Sequence, residues 1–146
     1  MSGPPGDGRR WETVEDCGPF ADLVGPLFVT CDQLSIGEQA RFGFKVAERH
    51  CNARPICHGG MLATFLDIAL ARGLRVAAGV DGPIPTISMT LDYLSPAALG
   101  EWVEARVTVI RAGPGTSFVQ AMLHAGDRRV LRGSGVYKRI GGATSG

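Results

Sequence analysis

Apolar and polar positions alternate with a period of two over most of the second half of the chain. Ile87, Met89, Leu91 and Tyr93 interleave with Thr86, Ser88, Thr90 and Asp92, and Val103, Ala105, Val107 and Val109 with Glu104, Arg106 and Thr108. Successive side chains of a strand point to opposite faces, so each run predicts a strand with one covered face. Turn residues at 95–100, 112–115 and 126–127 delimit two further strands, over 116–125 and 129–139. In the first half, 26–32 reads as a short strand. Ala40, Phe42, Phe44 and Val46 alternate with Arg41, Gly43 and Lys45 in a longer one over 39–50, and the two predict a hairpin. One helical turn is expected at 20–24.

Residues 58–78 differ in character: they hold no proline and many helix formers, carry charge only at Asp67, Arg72 and Arg75, and meet a stop at Gly79. A helix apolar nearly all round belongs in a core. The order β-β-α-β-β-β-β, with one apolar helix among long meandering strands, predicts an α+β fold in which an antiparallel sheet curls around a central helix. At 146 residues the chain fits a single domain. That domain is expected over 16–140, between a flexible N-terminal tail, 1–15, and a flexible C-terminal tail, 141–146.

Composition narrows the partners. With 15 basic against 14 acidic residues the net charge is +1, which gives no global field to attract nucleic acid or anionic lipid. The charge-free stretch 112–126 contains Gly113, Pro114, Gln120 and His124 and does not suit a membrane span. The first ten residues lack an apolar signal segment, so a cytoplasmic protein with reduced thiols at Cys17, Cys31, Cys51 and Cys57 is expected.

Asp67 is the most informative single residue. A carboxylate in an apolar helix is costly to desolvate unless it is paired or hydrogen-bonded. Either it faces a solvated rim or pairs with Arg72 or another arginine, or it serves as a general base or nucleophile in a cleft. His58-Gly59-Gly60 opens the same helix, where uncovered N–H groups and the positive dipole end favour an anion or an oxyanion; a tight strand-to-helix turn is the plainer reading. The two features stand about 12 Å apart along one helix, too far to meet on one reacting atom. They would meet if the helices of two chains came together.

The run Asn52-Ala-Arg-Pro-Ile-Cys-His58-Gly59-Gly60-Met-Leu-Ala-Thr-Phe-Leu-Asp67, followed by the strand 86–93, Tyr-Leu-Ser-Pro96 and Gly100, resembles the hotdog-fold acyl-CoA thioesterases of the PaaI, phenylacetate-pathway type within the 4HBT superfamily. The likeness spans roughly 39–139, and its most specific element is the Asp nine residues after the His. It implies that Gly59 N–H and Asn52 polarise a thioester carbonyl and that Asp67 of the partner subunit activates water or attacks. Thr86 would orient the water and His58 would shape the loop. It implies substrate contacts at Gly60, Met61, Phe65, Ser88 and Tyr93, and at a turn along the CoA moiety formed by Arg111, Gly113, Pro114 and Gly115. The expected function is hydrolysis of medium-chain or aromatic acyl-CoA by a homodimer or homotetramer, with no metal or redox cofactor. The alternatives are a non-catalytic acyl-CoA-binding or sensing protein, and a hydratase, which would want an acid/base Asp and His on one segment.

Other motifs are weaker. His50, Cys51, Cys57 and His58 lack zinc-finger spacing, and neighbours on a strand face opposite ways. Gly133-x-Gly135 lacks the third glycine and the helix of a dinucleotide fingerprint. The apolar pocket is expected from Met61, Leu62, Phe65, Met89 and Leu91.

Overall fold

In the computed structural model, which describes residues 3–140, seven strands form one antiparallel sheet. The strands are β1 (Glu12–Thr13), β2 (Phe28–Thr30), β3 (Ala40–Lys45), β4 (Thr86–Tyr93), β5 (Trp102–Ala112), β6 (Thr116–Ala125) and β7 (Arg128–Lys138), and their order across the sheet is β1-β2-β3-β5-β6-β7-β4. A short helix, α1 (Pro19–Val24), precedes β2, and the long helix α2 (Gly59–Ala78) lies on the concave side. This is the expected α+β hotdog arrangement, with β2 and β3 paired as a hairpin. Gly79 ends α2 in the left-handed region at φ 62°, which a glycine adopts without Cβ strain.

The core forms between α2 and the inward residues of the sheet. Met61, Leu62, Phe65, Leu66, Ala69, Leu70, Gly73 and Leu74 are the buried positions of the helix. They meet Phe42, Phe44, Val103, Ala105, Val107, Leu123 and Leu131. Two glycines set how closely helix and sheet approach. A Cβ on Gly73 would sit 2.5 Å from Val107, and one on Gly133 would sit 2.4 Å from Leu66.

Several expectations need correction. The chain over 1–15 is not simply a tail: Glu12 and Thr13 pair with β2, and the Trp11 ring meets Trp102 edge-on at 5.2 Å. Trp102 in turn lies over Gly43, where a Cβ would come within 2.1 Å of its ring. The apolar side chains of this segment find cover on the outer face of the sheet. The expected tail 141–146 lies outside the described residues. The strand expected over 39–50 stops at Lys45 and gives way to a single 3-10 turn, Glu48–His50. There the His50 ring accepts the Ala47 N–H (2.9 Å) and contacts the Val24 carbonyl (2.6 Å), replacing ladder bonds. Helix α2 is buried on one face only; Ala63, Thr64, Asp67, Ile68, Ala71 and Arg72 are half-buried on the other.

Strand β4 departs furthest from its pattern. It is an edge strand, with Ile87 55% and Tyr93 53% exposed, so in a single chain it lacks a fully covered face. It also carries a bulge. Thr86 pairs with Tyr137 but Ser88 pairs with Val136, so Ile87 is the extra residue and the alternation reverses there. Thr86 therefore shares the inner face with Met89 and Leu91, opposite to where a strict period of two would put it.

Candidate active site

The bulge brings Thr86 over the half-buried Asp67. Thr86 Oγ1 donates to Asp67 Oδ1 at 2.8 Å, and the Tyr137 hydroxyl donates to the same oxygen at 2.9 Å and contacts the Asp67 carbonyl at 3.3 Å. Two donors on one carboxylate oxygen hold the group in a fixed rotamer and satisfy its buried side. Oδ2 accepts no hydrogen bond among the described residues. The Tyr137 ring is fully buried, and burial, reinforced by the neighbouring Asp67 charge, pushes its phenol far above the usual range. Tyr137 therefore stays a donor across the working pH range. The side of Asp67 away from the sheet opens into a groove of about 280 Å³ whose lining includes Ile68, Ala71, Ile84, Pro85 and Cys17. Arg72 and Arg75 also line it, but their guanidiniums donate to the Glu15 and Val80 carbonyls. No arginine pairs with Asp67, so the ion-pair reading of this residue does not hold among the described residues.

The other candidate group lies at the mouth of the helix. His58 is the N-cap of α2, and its Nδ1 accepts the Gly60 N–H at 2.8 Å. That contact removes Gly60 as an anion donor and leaves the Gly59 N–H without an acceptor among the described residues. Tyr93 covers this spot: its hydroxyl donates to the Gly59 carbonyl at 2.6 Å, and a Cβ on residue 59 would come 3.2 Å from its ring. Asn52 belongs to the same end, because an isolated antiparallel bridge pairs Cys51 with Cys57 and the Asn52 N–H donates to the Ile56 carbonyl at 3.1 Å. Asn52 Oδ1 accepts the Arg54 N–H, so its amide NH₂ is free to donate. The first residue of β4 bonds to Asp67 and the last bonds to Gly59, which keeps the two groups apart within one chain.

Other expected site residues fall elsewhere. Met61 (7% exposed) and Phe65 (0%) are core residues, Phe65 packing on Phe44 with ring centroids 4.7 Å apart. They belong to the helix face that is turned to the sheet, so they do not line the groove. Ser88 lies beyond the bulge, exposed on the outer face with Thr90 and Asp92, and does not share a face with Asp67. Arg111, Pro114 and Gly115 are exposed at the β5–β6 turn, and Gly113 is held there by a bond from its N–H to the buried Ser117 hydroxyl (3.2 Å). Since Ser117 pairs with Tyr137, this turn stands at the Asp67 end of the sheet. Two residues went unnoticed in the sequence. Tyr137 is inward by the same alternation as Leu131, and Gly135 leaves room for its ring, since a Cβ there would lie 2.5 Å from it. The Gly133-x-Gly135 pair thus seats Leu66 and Tyr137.

A seven-stranded antiparallel sheet curled round one long helix, which presents Asp67 and the Gly59 N–H, is the hotdog fold, and similarity to known proteins gives its class as thioester hydrolase. The chain belongs to the thioesterase superfamily, whose family model matches residues 55–132. A Pseudomonas aeruginosa protein named as an esterase is 33% identical over 119 residues, covering 82% of this chain and 87% of its own. Acyl-coenzyme A thioesterase 13 of Homo sapiens is 36% identical over 83 residues, 54% of this chain and 56% of that protein. Among solved structures, a mutant of phenylacetic acid degradation protein PaaI from Thermus thermophilus matches with a TM-score of 0.69 and 27% identity, covering 84% of this chain and all of that one. None of the helices described is long and apolar enough to cross a membrane.

Proposed function

We propose that this chain hydrolyses medium-chain or aromatic acyl-CoA to the free acid and CoA in the cytoplasm, using water and no metal or redox cofactor. The observation that carries this reading is the Asp67 carboxylate, which lines the groove and is held through Oδ1 by Thr86 and Tyr137, leaving Oδ2 without a hydrogen bond among the described residues. As a general base, Oδ2 takes a proton from water as the water oxygen adds to the thioester carbon. The carbonyl electrons move to oxygen, and the resulting oxyanion is met by the Gly59 N–H and the Asn52 amide of the facing chain. Collapse expels the CoA thiolate, which recovers the proton from Asp67. As a nucleophile, Oδ2 would instead add to the thioester carbon and expel the CoA thiolate, leaving an acyl anhydride that water then opens to the free acid and the Asp67 carboxylate, the thiolate taking the proton released. Thr86 donates its own proton to Asp67, so its oxygen remains free to accept a hydrogen bond from the water.

Assembly into dimers, and of dimers into tetramers, belongs to this proposal, and three features support the dimer. Gly59 and Asp67 stand at opposite ends of β4 in one chain. That strand has an open edge, and the outward face of α2 presents Ala63, Ile68 and Ala71. The apolar lining at Ile68, Ala71, Ile84 and Pro85 suits an uncharged acyl group. Tyr93 at the helix mouth and Arg111 with Gly113, Pro114 and Gly115 are the proposed contacts for the CoA moiety. The name of acyl-coenzyme A thioesterase 13 supports the choice of thioester. Free-thiol release from short, medium, long and aromatic acyl-CoAs tests the proposal. Release from medium or aromatic substrates is expected, and CoA binding without release from any would replace it with the binding-protein reading.

A further inference from the structure

The isolated bridge between Cys51 and Cys57 closes the loop 52–56, and the sense of its hydrogen bonds has a chemical consequence. His58 N–H donates to the His50 carbonyl (2.8 Å) and Asn52 N–H to the Ile56 carbonyl (3.1 Å), so the bonds flank the cysteine pair and do not run within it. Cys51 and Cys57 thus form a non-hydrogen-bonded antiparallel pair, the type whose Cα atoms stand about 4.5 Å apart with both side chains on one face. A disulfide requires a Cα separation of roughly 4.4–6.8 Å and side chains that converge. Both thiols are free, and what holds them is weak: Cys51 Sγ contacts the Ala47 carbonyl at 3.5 Å and Cys57 Sγ the His58 carbonyl at 3.7 Å. Turning the two side chains toward each other gives up only those two polar contacts, and the joined sulfurs stay against the core in which Cys57 is buried and on which Cys51 packs.

We infer that Cys51 and Cys57 are a redox modification site, forming a reversible intrachain disulfide that staples the loop carrying Asn52 to the start of α2. With glutathione disulfide as oxidant, the half-buried Cys51 thiolate attacks one sulfur and expels a glutathione thiolate. Cys57 thiolate then attacks the Cys51 sulfur of the mixed disulfide and expels the second glutathione. The two protein thiols lose two electrons and two protons, and the oxidant becomes two molecules of glutathione. Cys57 is 4% exposed, and burial pushes its thiol up to about 12, so the closing step quickens about tenfold for each pH unit between 7 and 9. That the stapled loop belongs to the active site rests on the function proposed above; the disulfide itself does not.

The test uses the full chain with Cys17→Ser and Cys31→Ser, which leaves Cys51 and Cys57 as its cysteines. After incubation with glutathione disulfide it is expected to lose both alkylatable thiols, to weigh two hydrogens less and to run as a single chain on a non-reducing gel. Peptide mapping is expected to join Cys51 to Cys57, dithiothreitol to reverse the change, and amide exchange across 52–57 to slow about tenfold. In the chain with all its cysteines the same cross-linked peptide is expected. Thiols that remain alkylatable, a lasting glutathione adduct at Cys51, or a cross-link between chains overturns the inference. None of these measurements reads thioester cleavage, so a failure of the proposed function leaves them unchanged.

Discussion

Replacing Asp67 by Asn separates chemistry from folding because of how the carboxylate is held. Thr86 and Tyr137 both donate to Oδ1, at 2.8 and 2.9 Å. An asparagine that places its carbonyl oxygen at that position keeps both bonds and turns its NH₂ into the groove. The loss in stability is then expected to stay below about 1 kcal/mol, the scale of one altered neutral hydrogen bond. The group facing the groove, however, can neither take a proton from water nor attack a carbon. Loss of a general base costs at least about a hundredfold in kcat, equivalent to about 2.7 kcal/mol of transition-state stabilisation. Asp67→Ala differs by abandoning both hydroxyl donors: the exposed Thr86 turns to water, while the buried Tyr137 hydroxyl is left with the Asp67 backbone carbonyl at 3.3 Å as its partner, at a cost of about 1–3 kcal/mol. The assay pairs thiol release from the best acyl-CoA substrate with thermal unfolding of the same preparations. The Asn variant should melt with wild-type protein and be nearly inactive, while the Ala variant should be inactive and melt earlier. An Asn variant that keeps more than a third of wild-type kcat would refute the role given to Asp67.

The remaining expectations address assembly, the groove and pH. Inactive Gly59→Val and Asp67→Asn chains, refolded together in equal amounts, should recover about a quarter of wild-type activity, because half the dimers are hybrid and each hybrid holds one intact site of two; a fully active monomer in sedimentation would contradict this. Hexanoyl- and phenylacetyl-CoA should exceed acetyl- and succinyl-CoA in kcat/KM by 10–200-fold, at about 1–3 kcal/mol for each well-buried methylene or two; acetyl or succinyl ranking first would reject the apolar groove. Burial first, then the Arg49 charge, holds His50 below the ordinary histidine range against the pull of the Val24 carbonyl, and burial and then Arg106 do the same for His124. The unfolded chain then binds more protons as pH drops through about 6.5, so this stability is complete above that value and declines below it. The thermal midpoint should therefore fall between pH 7.5 and 5.5, and a flat midpoint would contradict the assignment.

Much of this protein can be read along the chain because its determinants are local. A period of two names a strand whichever neighbour it pairs with. An uninterrupted run of helix formers ending at Gly79 names a helix, and Asp67 stands out because an apolar helix gives a carboxylate no local partner. The spacing of His58, Gly59 and Asp67 follows from helix geometry alone. What decides whether those residues make a site depends on contacts between distant segments, which periodicity does not encode. The extra residue at Ile87 reverses the face of β4, and only the pairing with β7 shows it, bringing Thr86 inward and leaving Ser88 outside. Tyr137 reaches Asp67 across 70 positions of sequence because Gly135 leaves space for its ring. Met61 and Phe65 read as pocket residues until the sheet claims their side of the helix, while Ile68 and Ala71 face the groove. Trp11 is an isolated aromatic in the sequence and becomes part of the fold only where Trp102 lies over Gly43. The sequence by itself determines which segments become strands or helix and which residue types stand at the helix mouth and middle, since backbone periodicity sets these. The tertiary structure decides which face each segment turns to the core and which hydroxyls reach the carboxylate, since these follow from pairing register and from the space that glycines leave open.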